Sequence, residues 1–314
     1  MHNSSEDNRN AKDVDNIKNK KRFKEKTRPF HEIDLPTIVG KNKKRRSVFD
    51  NKYKINLTEL ANTILFISVF IGIWQLVYII GIWPKISLPS PLMVAEAFYD
   101  LFQNNTLLTG IGMTMYRLAI GFIISIAIGM AVGLAMVKFT GFGKTMGSFA
   151  VGLQSFPSIA WVPFAILLIG LNDLGILFVV IMSSIFSVMM STYSGIRNIP
   201  TIYIRAAKNM GAKGLHLFRH LMIPAATPAL ITGIKQAWSF AWHALIGAEI
   251  LMAASIGLGH VLLVGREFQA MEQTIAAMIT IFLIGWVFDR VFFSKLEDRV
   301  REKWGLNQNN EKNQ

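Results

Sequence analysis

The sequence contains no cysteine among its 314 residues, which excludes disulfide bonds, thiolate metal sites and cysteine nucleophiles. It also lacks the Gly-x-x-x-x-Gly-Lys-Ser/Thr phosphate-binding loop, the His-Glu-x-x-His zinc motif and the Gly-x-Ser-x-Gly nucleophile motif. A chain without that phosphate-binding loop cannot use it to hydrolyse ATP. We therefore expect no catalytic residues, no metal ligands and no bound cofactor in this chain.

Charge is scarce as well, since 17% of the residues are charged, 52% are apolar and the mean hydropathy is +0.37. Ordinary soluble domains contain about 25% charged residues. The composition therefore predicts a polytopic membrane protein. We expect an all-α fold with about six transmembrane helices, because a helix satisfies its own backbone hydrogen bonds inside a bilayer.

The positive charge is concentrated at the N-terminus. Residues 1–54 contain 16 of the 33 Lys and Arg residues against 8 acids, which amounts to +8 of the net charge of +13. This segment lacks an apolar period and is predicted to be a disordered cytoplasmic tail. Basic clusters of this kind can lie on anionic lipid or bind nucleic acid, but we favour a solvated tail without nucleic acid. No cleavable signal peptide is expected, because the first apolar stretch starts late and is too long.

Six apolar stretches are long enough to cross a hydrocarbon core of about 30 Å as helices. They lie near residues 60–82, 113–137, 149–170, 174–196, 227–250 and 273–293. Lys and Arg are enriched after the second, fourth and sixth stretches, as in cytoplasmic segments. Both termini and the 138–148 and 197–226 loops are therefore predicted to be cytoplasmic. The membrane domain would cover residues 55–304, with a polar tail at 305–314.

Two features of the membrane domain concern packing. The sequence LPSPLMVAEAFYDLF predicts a short amphipathic helix on the outer surface, with Met93, Ala97 and Leu101 facing the bundle. Gly129 and Gly133 in the second stretch form a small-xxx-small pattern, which allows close approach of two helices. That approach is either internal packing or contact with a second subunit.

The segment from Pro200 to Pro228 is a long cationic stretch between two apolar ones. Ile202 to Met210 is free of helix breakers, and Gly211 suits the left-handed residue that ends a helix. A second short helix is indicated by apolar residues at helical spacing, which are Leu215, Phe218, Leu221 and Met222. Pro224 and Pro228 are expected to end that helix. The prediction is two short helices that meet at a sharp bend.

This segment resembles the EAA loop of binding-protein-dependent ABC importer permeases, whose pattern is Glu-Ala-Ala, three residues, Gly, nine residues and Ile-x-Leu-Pro. The matching residues are Arg205-Ala206-Ala207, Gly211 and Leu221-Met222-Ile223-Pro224. The spacing fits throughout, but Arg205 stands where the family has an acid. Further similarity to the nitrate, sulfonate, taurine and bicarbonate branch extends from about residue 88 to 304. It includes the LPSP segment, Arg117 in TMYRLAIGF and the AWHALIGAE stretch.

The resemblance implies a permease subunit in a bacterial cell membrane. Its expected partners are cytoplasmic ABC ATPase subunits, a second permease copy in a homodimeric pair, an extracytoplasmic solute-binding protein and membrane lipid. ATP and Mg would be used by the ATPase. In this family the loop docks in a groove of the ATPase, and here Phe218 would be the apolar knob while Ala206 and Ala207 permit close approach. The implied solute is a sulfonate-, taurine- or nitrate-type anion, with a pyrimidine-type vitamin precursor as the alternative.

Polar and helix-breaking residues inside the membrane indicate where a solute path lies. We predict that Pro157 and Pro163 break the third stretch, and that Trp238, His243 and Glu249 line the path. Each has a structural alternative. His243 donates either to Ser239 or to the solute, and Glu249 caps, gates or contacts the solute.

Three other ionisable residues have plainer expected roles. Lys235 can extend to the inner membrane surface, while Arg117 and Asp289 are expected to be partners inside the bundle. Two rival functions use the same residues. A proton-coupled secondary transporter would work through His243 and Glu249, and an intramembrane enzyme is disfavoured by the missing motifs.

Overall fold

The structure, a computed structural model, describes residues 57–303, and neither the basic tail nor residues 305–314 fall within this range. The chain divides into two units, Met1–Ile64 and Leu65–Gln314, of which the first is described only in its last eight residues. The described part is all-helical, as the sequence predicts. Its helices are α1 (Leu57–Ile80), α2 (Pro91–Gln103), α3 (Thr106–Lys138), α4 (Thr140–Gln154), α5 (Trp161–Leu168), α6 (Asp173–Arg197), α7 (Thr201–Asn209), α8 (Gly214–Leu217), α9 (Ile223–Leu251), α10 (Leu258–Glu267), α11 (Met271–Val287) and α12 (Ser294–Lys303).

Five helical segments in this range are long and apolar enough to cross a membrane, and a sixth candidate is the bent pair of α4 and α5. This pair overlaps the third stretch predicted at 149–170, and the predicted break in that stretch is present, because the two helices meet at 97°. The bend follows Pro157, which precedes a 3-10 turn at Ser158–Ala160. Pro163 lies in the first turn of α5, where a backbone N–H would have no acceptor within the helix. The missing N–H of proline therefore removes no helical hydrogen bond, and Pro163 does not break the helix.

The predicted 138–148 loop is also helical. Phe139 alone separates α3 from α4, and the Phe139 N–H still donates to the Ala135 carbonyl at 2.9 Å. Sequence reasoning missed α4 because Gly141, Gly143 and Gly147 disfavour a helix locally. Packing of Gly143 and Gly147 near Tyr193 of α6 overrides that preference.

Helix α6 occupies the centre of the bundle, with α3 on one side. Small residues on α3 allow the two backbones to approach closely, since an added Cβ at Gly129 would lie 2.8 Å from the Val188 Cβ. At Gly133 an added Cβ would lie 2.7 Å from the Thr192 Cβ. The small-xxx-small pattern therefore serves packing within the chain, which decides between the two alternatives for these glycines.

Helix α9 packs on the other side of α6. The Ser187 hydroxyl donates to the Gly233 carbonyl at 3.2 Å, and a side chain at Gly233 would collide with Ser191. Further along α6, an added Cβ at Gly195 would lie 3.0 Å from the Ala229 Cβ. The hydroxyl-rich face of α6 is thus in close contact with α9.

The predicted outer amphipathic helix exists as α2. Ser90 caps its N-terminus by accepting from the Met93 N–H at 3.2 Å. Ala97 and Leu101 are buried as expected, but Val94 is buried in place of Met93, which is 36% exposed. The prediction of the buried face of α2 was therefore wrong by one residue at the N-terminal end of this helix.

Pro224 and Pro228 do not end the second loop helix, which is a correction to the sequence-based prediction. Helix α8 continues through a π-helical turn at Phe218–Met222 into α9, and one segment runs from Gly214 to Leu251. The π turn bonds the Ile223 N–H to the Phe218 carbonyl just before Pro224. The Thr227 hydroxyl donates to the Ile223 carbonyl at 3.0 Å near Pro228. Such local adjustments are how membrane helices tolerate proline.

Two elements were not predicted. Helix α10 folds back between α9 and α11, and it follows the left-handed-region residues Ala253 and Gly257. A π-helical turn at Phe288–Phe293 joins α11 to the charged helix α12. Its aromatic residues Phe288 and Phe293 pack against Trp238 of α9.

Candidate functional site

A polar stripe runs along the exposed face of α9. Its members are Thr232, Gln236, Ser239 and His243, which are spaced four, three and four residues apart and are all exposed in the single chain. Lipid tails offer hydrogen-bonding groups no partner, so intramembrane polar side chains face a bundle interior or a water-filled cavity. The stripe therefore faces either a solute path or another subunit.

A cavity of about 580 Å³ adjoins the N-terminal part of this stripe, at Thr232 and Gln236. Hydroxyl and amide side chains dominate its polar lining, which comprises Gln154, Ser187, Ser191, Ser194, Thr232 and Gln236. Glu297 and Val300 of α12 also border the cavity. The cavity thus lies between α4, α6, α9 and α12, and its donors and acceptors suit a small polar molecule.

The structure separates the residues that were predicted to line a path. His243 lies on the exposed polar stripe, whereas Trp238 stacks on Phe288 with ring centroids 4.6 Å apart. Phe122 contacts the same indole edge-on at 5.4 Å. Trp238 therefore belongs to an aromatic cluster of the bundle. Thr232 and Gln236 were not predicted, because neutral polar residues in an apolar stretch give a weaker signal than the ionisable ones.

Glu249 is fully buried at the C-terminal end of α9, where its carboxylate is completely hydrogen-bonded. Arg117 Nη1 donates to Glu249 Oε1 at 2.8 Å, and the Gly259 N–H donates to Oε2 at 2.9 Å. The Thr114 hydroxyl lies 3.0 and 2.9 Å from the two oxygens. Glu249 does not border the cavity and is part of the packing of the bundle.

Arg117 extends this cluster to α6 and to the loop before α10. Its Nε and Nη2 donate to Asp173 Oδ1 at 3.1 and 2.7 Å, and Nη1 also donates to the Ile256 carbonyl at 2.6 Å. Gly257 is required for close approach, because an added Cβ would lie 2.6 Å from Glu249 Oε2. The prediction that Arg117 is an internal partner is thus confirmed, and the cluster joins α3, α6, α9 and α10.

The loop predicted to contact an ATPase has the expected bend. Helix α7 ends before Gly211, whose φ of +90° lies in the left-handed region. Arg205 and Ala206 on α7 are exposed and Ala207 is half-buried. At the other end, Leu221 and Pro224 are half-buried and Ile223 is 40% exposed.

Phe218 differs from its predicted position as an exposed knob. It is half-buried and packs against Ile196, Ile199 and Ala226. Met210 and Leu215, on either side of Gly211, are instead 88% and 78% exposed. Because they project from the loop, these two residues are better placed than Phe218 to contact another protein.

The loop is also strongly cationic. Arg205, Lys208, Lys213 and Arg219 are all exposed, and the sequence has no acid between Asp173 and Glu249. Exposed apolar side chains together with exposed cations suit the docking of a protein with an acidic or neutral face.

The fold and these sites define the subunit of a membrane transport system. The family described as binding-protein-dependent transport system inner membrane component matches residues 123–296, which is more than half of the chain. The chain therefore belongs to this family and is a permease subunit of an ABC transporter. Such subunits are not enzymes, and membership implies partnership with an ATPase and a binding protein.

Curated relatives agree with this assignment. A putative ABC transporter permease protein of Methanocaldococcus jannaschii is 29% identical over 76% of this chain and 90% of its own length. The putative aliphatic sulfonates transport permease protein SsuC of Escherichia coli is 29% identical over 74% of this chain and 88% of its own length. The nitrate import permease protein NrtB of a Synechocystis strain is 25% identical over 74% of this chain and 86% of its own length.

The fold is also seen in solved structures. An inward-facing conformation of the MetNI methionine ABC transporter superposes with a TM-score of 0.50 at 16% identity. The match covers 62% of this chain and 96% of that chain. At this identity the likeness concerns the fold alone.

Proposed function

We propose that this permease imports a small oxyanion of the sulfonate, taurine or nitrate type, using ATP that a separate subunit hydrolyses. The solute class rests on the names of the relatives. The observation that carries the mechanism is the continuity of the segment Gly214–Leu251, which begins in the cationic loop and ends beyond the polar stripe. A displacement of the loop by an ATPase would therefore move the wall of the polar cavity directly.

The working unit in this proposal is a pair of permease subunits with the polar stripe of α9 facing the path between them. The pair would alternate between outward-open and inward-open states, and the ATPase would favour one of them only if it binds the loop more tightly in that state. Both termini and the loop at α7 and α8 would be cytoplasmic, as the distribution of Lys and Arg indicates.

This orientation can be tested because the chain has no native cysteine. A cysteine in place of Lys213 should be protected from a membrane-impermeant thiol reagent in intact cells and should react after permeabilisation. A cysteine in place of Arg266, which is exposed near the end of α10, should react in intact cells. The reverse pattern at these two sites would show that the orientation is inverted.

The energy source distinguishes the proposal from a proton-coupled carrier. Uptake of labelled taurine or nitrate should be lost when the ATPase is inactivated, and an uncoupler should have little effect while the ATP pool is maintained. His243 is exposed whereas Glu249 is bonded to Arg117, so the structure does not favour a proton relay between them. Uptake that survives ATPase loss but collapses with the uncoupler would support the carrier instead.

A further inference from the structure

Two histidines lie side by side on the cationic loop. His216 belongs to α8, and His220 follows four residues later in the π-helical turn. Residues at this spacing are neighbours on one face of a helix. Their imidazole rings stack with centroids 4.2 Å apart and an angle of 22° between the ring planes. Both residues are exposed, so ions in the surrounding solution can reach the pair.

The hydrogen bond of the His220 ring decides which of its nitrogens is free. His220 Nδ1 lies 3.1 Å from the carbonyl oxygen of His216. Because a carbonyl oxygen can only accept, Nδ1 carries the hydrogen, and in the neutral ring Nε2 then keeps its lone pair. A bond from Nδ1–H to a backbone carbonyl is a common arrangement in histidines that bind a metal ion through Nε2. The backbone therefore holds His220 in a form that can ligate a metal.

The ring of His216 supplies the second nitrogen. In the part of the chain that the structure describes, neither of its ring nitrogens takes part in a hydrogen bond. A Zn²⁺ ion lies about 2.0–2.1 Å from each histidine nitrogen that it binds. The two stacked rings therefore have to tilt until their lone pairs converge on one ion. Because both rings are exposed, there is room for this rotation.

We infer that His216 and His220 form a binding site for a divalent transition-metal ion such as Zn²⁺. Imidazole nitrogen suits Zn²⁺, Ni²⁺ and Cu²⁺, whereas Mg²⁺ prefers oxygen ligands. The described residues contain no group of three or more His, Cys, Asp or Glu side chains that could hold a metal ion, so water completes the coordination. A structural zinc site has four protein ligands. Two imidazoles therefore make a weak and exchangeable site, and the exposed cations Lys213 and Arg219 weaken it further.

Zinc binding can be measured separately at each histidine of the full chain. The chain is purified in neutral detergent and treated with diethyl pyrocarbonate, which modifies free imidazole nitrogens, and the modified residues are quantified by mass spectrometry. Zinc chloride should slow the modification of His216 and His220 several-fold, and magnesium chloride at the same concentration should not. His243 is an internal control, because it is exposed but has no histidine three or four residues away. Its rate of modification should be the same with and without zinc.

Variants then test whether the two histidines act together. His216→Ala should remove the protection of His220 by zinc, and His220→Ala should remove the protection of His216. His243→Ala, the matched control, should leave the protection of both unchanged. The inference is overturned if zinc still protects His220 in His216→Ala, if it protects His243 equally, or if it protects neither histidine in the parent chain.

The site lies on the part of the loop that is proposed to contact the ATPase, since His216 borders a pocket of about 340 Å³ together with Met210 and Gly211. The measurement nevertheless requires neither the ATPase nor a solute. Zinc protection in a chain that does not import an anion would contradict the import proposal alone. Anion import by a chain without zinc protection would contradict only the metal site.

Discussion

Glu249→Gln should destabilise the folded chain by about 3–5 kcal/mol, because it removes one partner of a fully buried ion pair and leaves the charge of Arg117 incompletely compensated. The amide of glutamine has one accepting oxygen, whereas the carboxylate accepts from Arg117 Nη1 at Oε1 (2.8 Å) and from the Gly259 N–H at Oε2 (2.9 Å). Four helices meet at this group, so its loss should loosen the α3, α6, α9 and α10 junction as a unit. The effect can be measured as a decrease in the temperature at which monodisperse protein is lost during heating in detergent.

Asp173→Asn provides the matched control. Asp173 also accepts from Arg117, but its side chain is 56% exposed, so solvent can replace the lost interaction and the cost should be well below that of Glu249→Gln. The double variant Arg117→Met, Glu249→Leu removes both buried charges and should recover much of the stability. If Glu249→Gln were no less stable than Asp173→Asn, the buried pair would not be what holds these helices together.

The sequence was sufficient to predict the all-helical membrane fold and the bend at Gly211, because both depend on local composition. It did not identify the partner of Glu249, since Arg117 is 132 residues away in the chain. A costly buried charge signals that some partner exists, but only the packing of α3 against α9 selects which one. The sequence therefore left capping, gating and solute contact open for Glu249, whereas the structure shows its carboxylate bonded to Arg117.

The second loop helix shows a different limit. Proline was treated as a helix terminator, which is a sound local expectation. In the structure the π turn at Phe218–Met222 and the hydroxyl of Thr227 compensate for Pro224 and Pro228. Continuity from the loop to the polar stripe could not be predicted from residue types, and yet it is the feature on which the proposed mechanism depends.

Exposure was the least predictable property. Phe218 and Leu215 are both apolar residues of one short helix, and periodicity alone assigns neither to the outside. The neighbours Ile196 and Ile199 at the end of α6 provide an apolar contact for Phe218, and Leu215 is left 78% exposed. The end of α6, which lies outside the loop, therefore decides which of the two residues stays exposed.

Leu215→Ser should reduce association of the permease with its ATPase by about tenfold or more while leaving the chain folded. Burial of a leucine side chain contributes roughly 1.5–3 kcal/mol, and about 1.4 kcal/mol corresponds to a tenfold change in affinity.

Gly211→Val should reduce association with the ATPase to a comparable extent, but through the backbone conformation of the loop. An added Cβ there meets nothing within 4 Å, but φ is +90°, so the substitution costs on the order of 1 kcal/mol in backbone strain and redirects α8. Copurification with the ATPase and anion uptake are the measurements.

Two controls separate docking from folding. Gly152→Val, at a helical glycine with open space and ordinary φ, should alter neither association nor stability. Phe218→Ala should lower stability by on the order of 2 kcal/mol, because Phe218 packs on the bundle, and it should affect association only as far as the loop unfolds. If Leu215→Ser and Gly211→Val kept full association and uptake while Phe218→Ala lost both without loss of stability, Phe218 would be the docking residue. The loop would then have to reorient on binding so that Phe218 leaves its contact with α6.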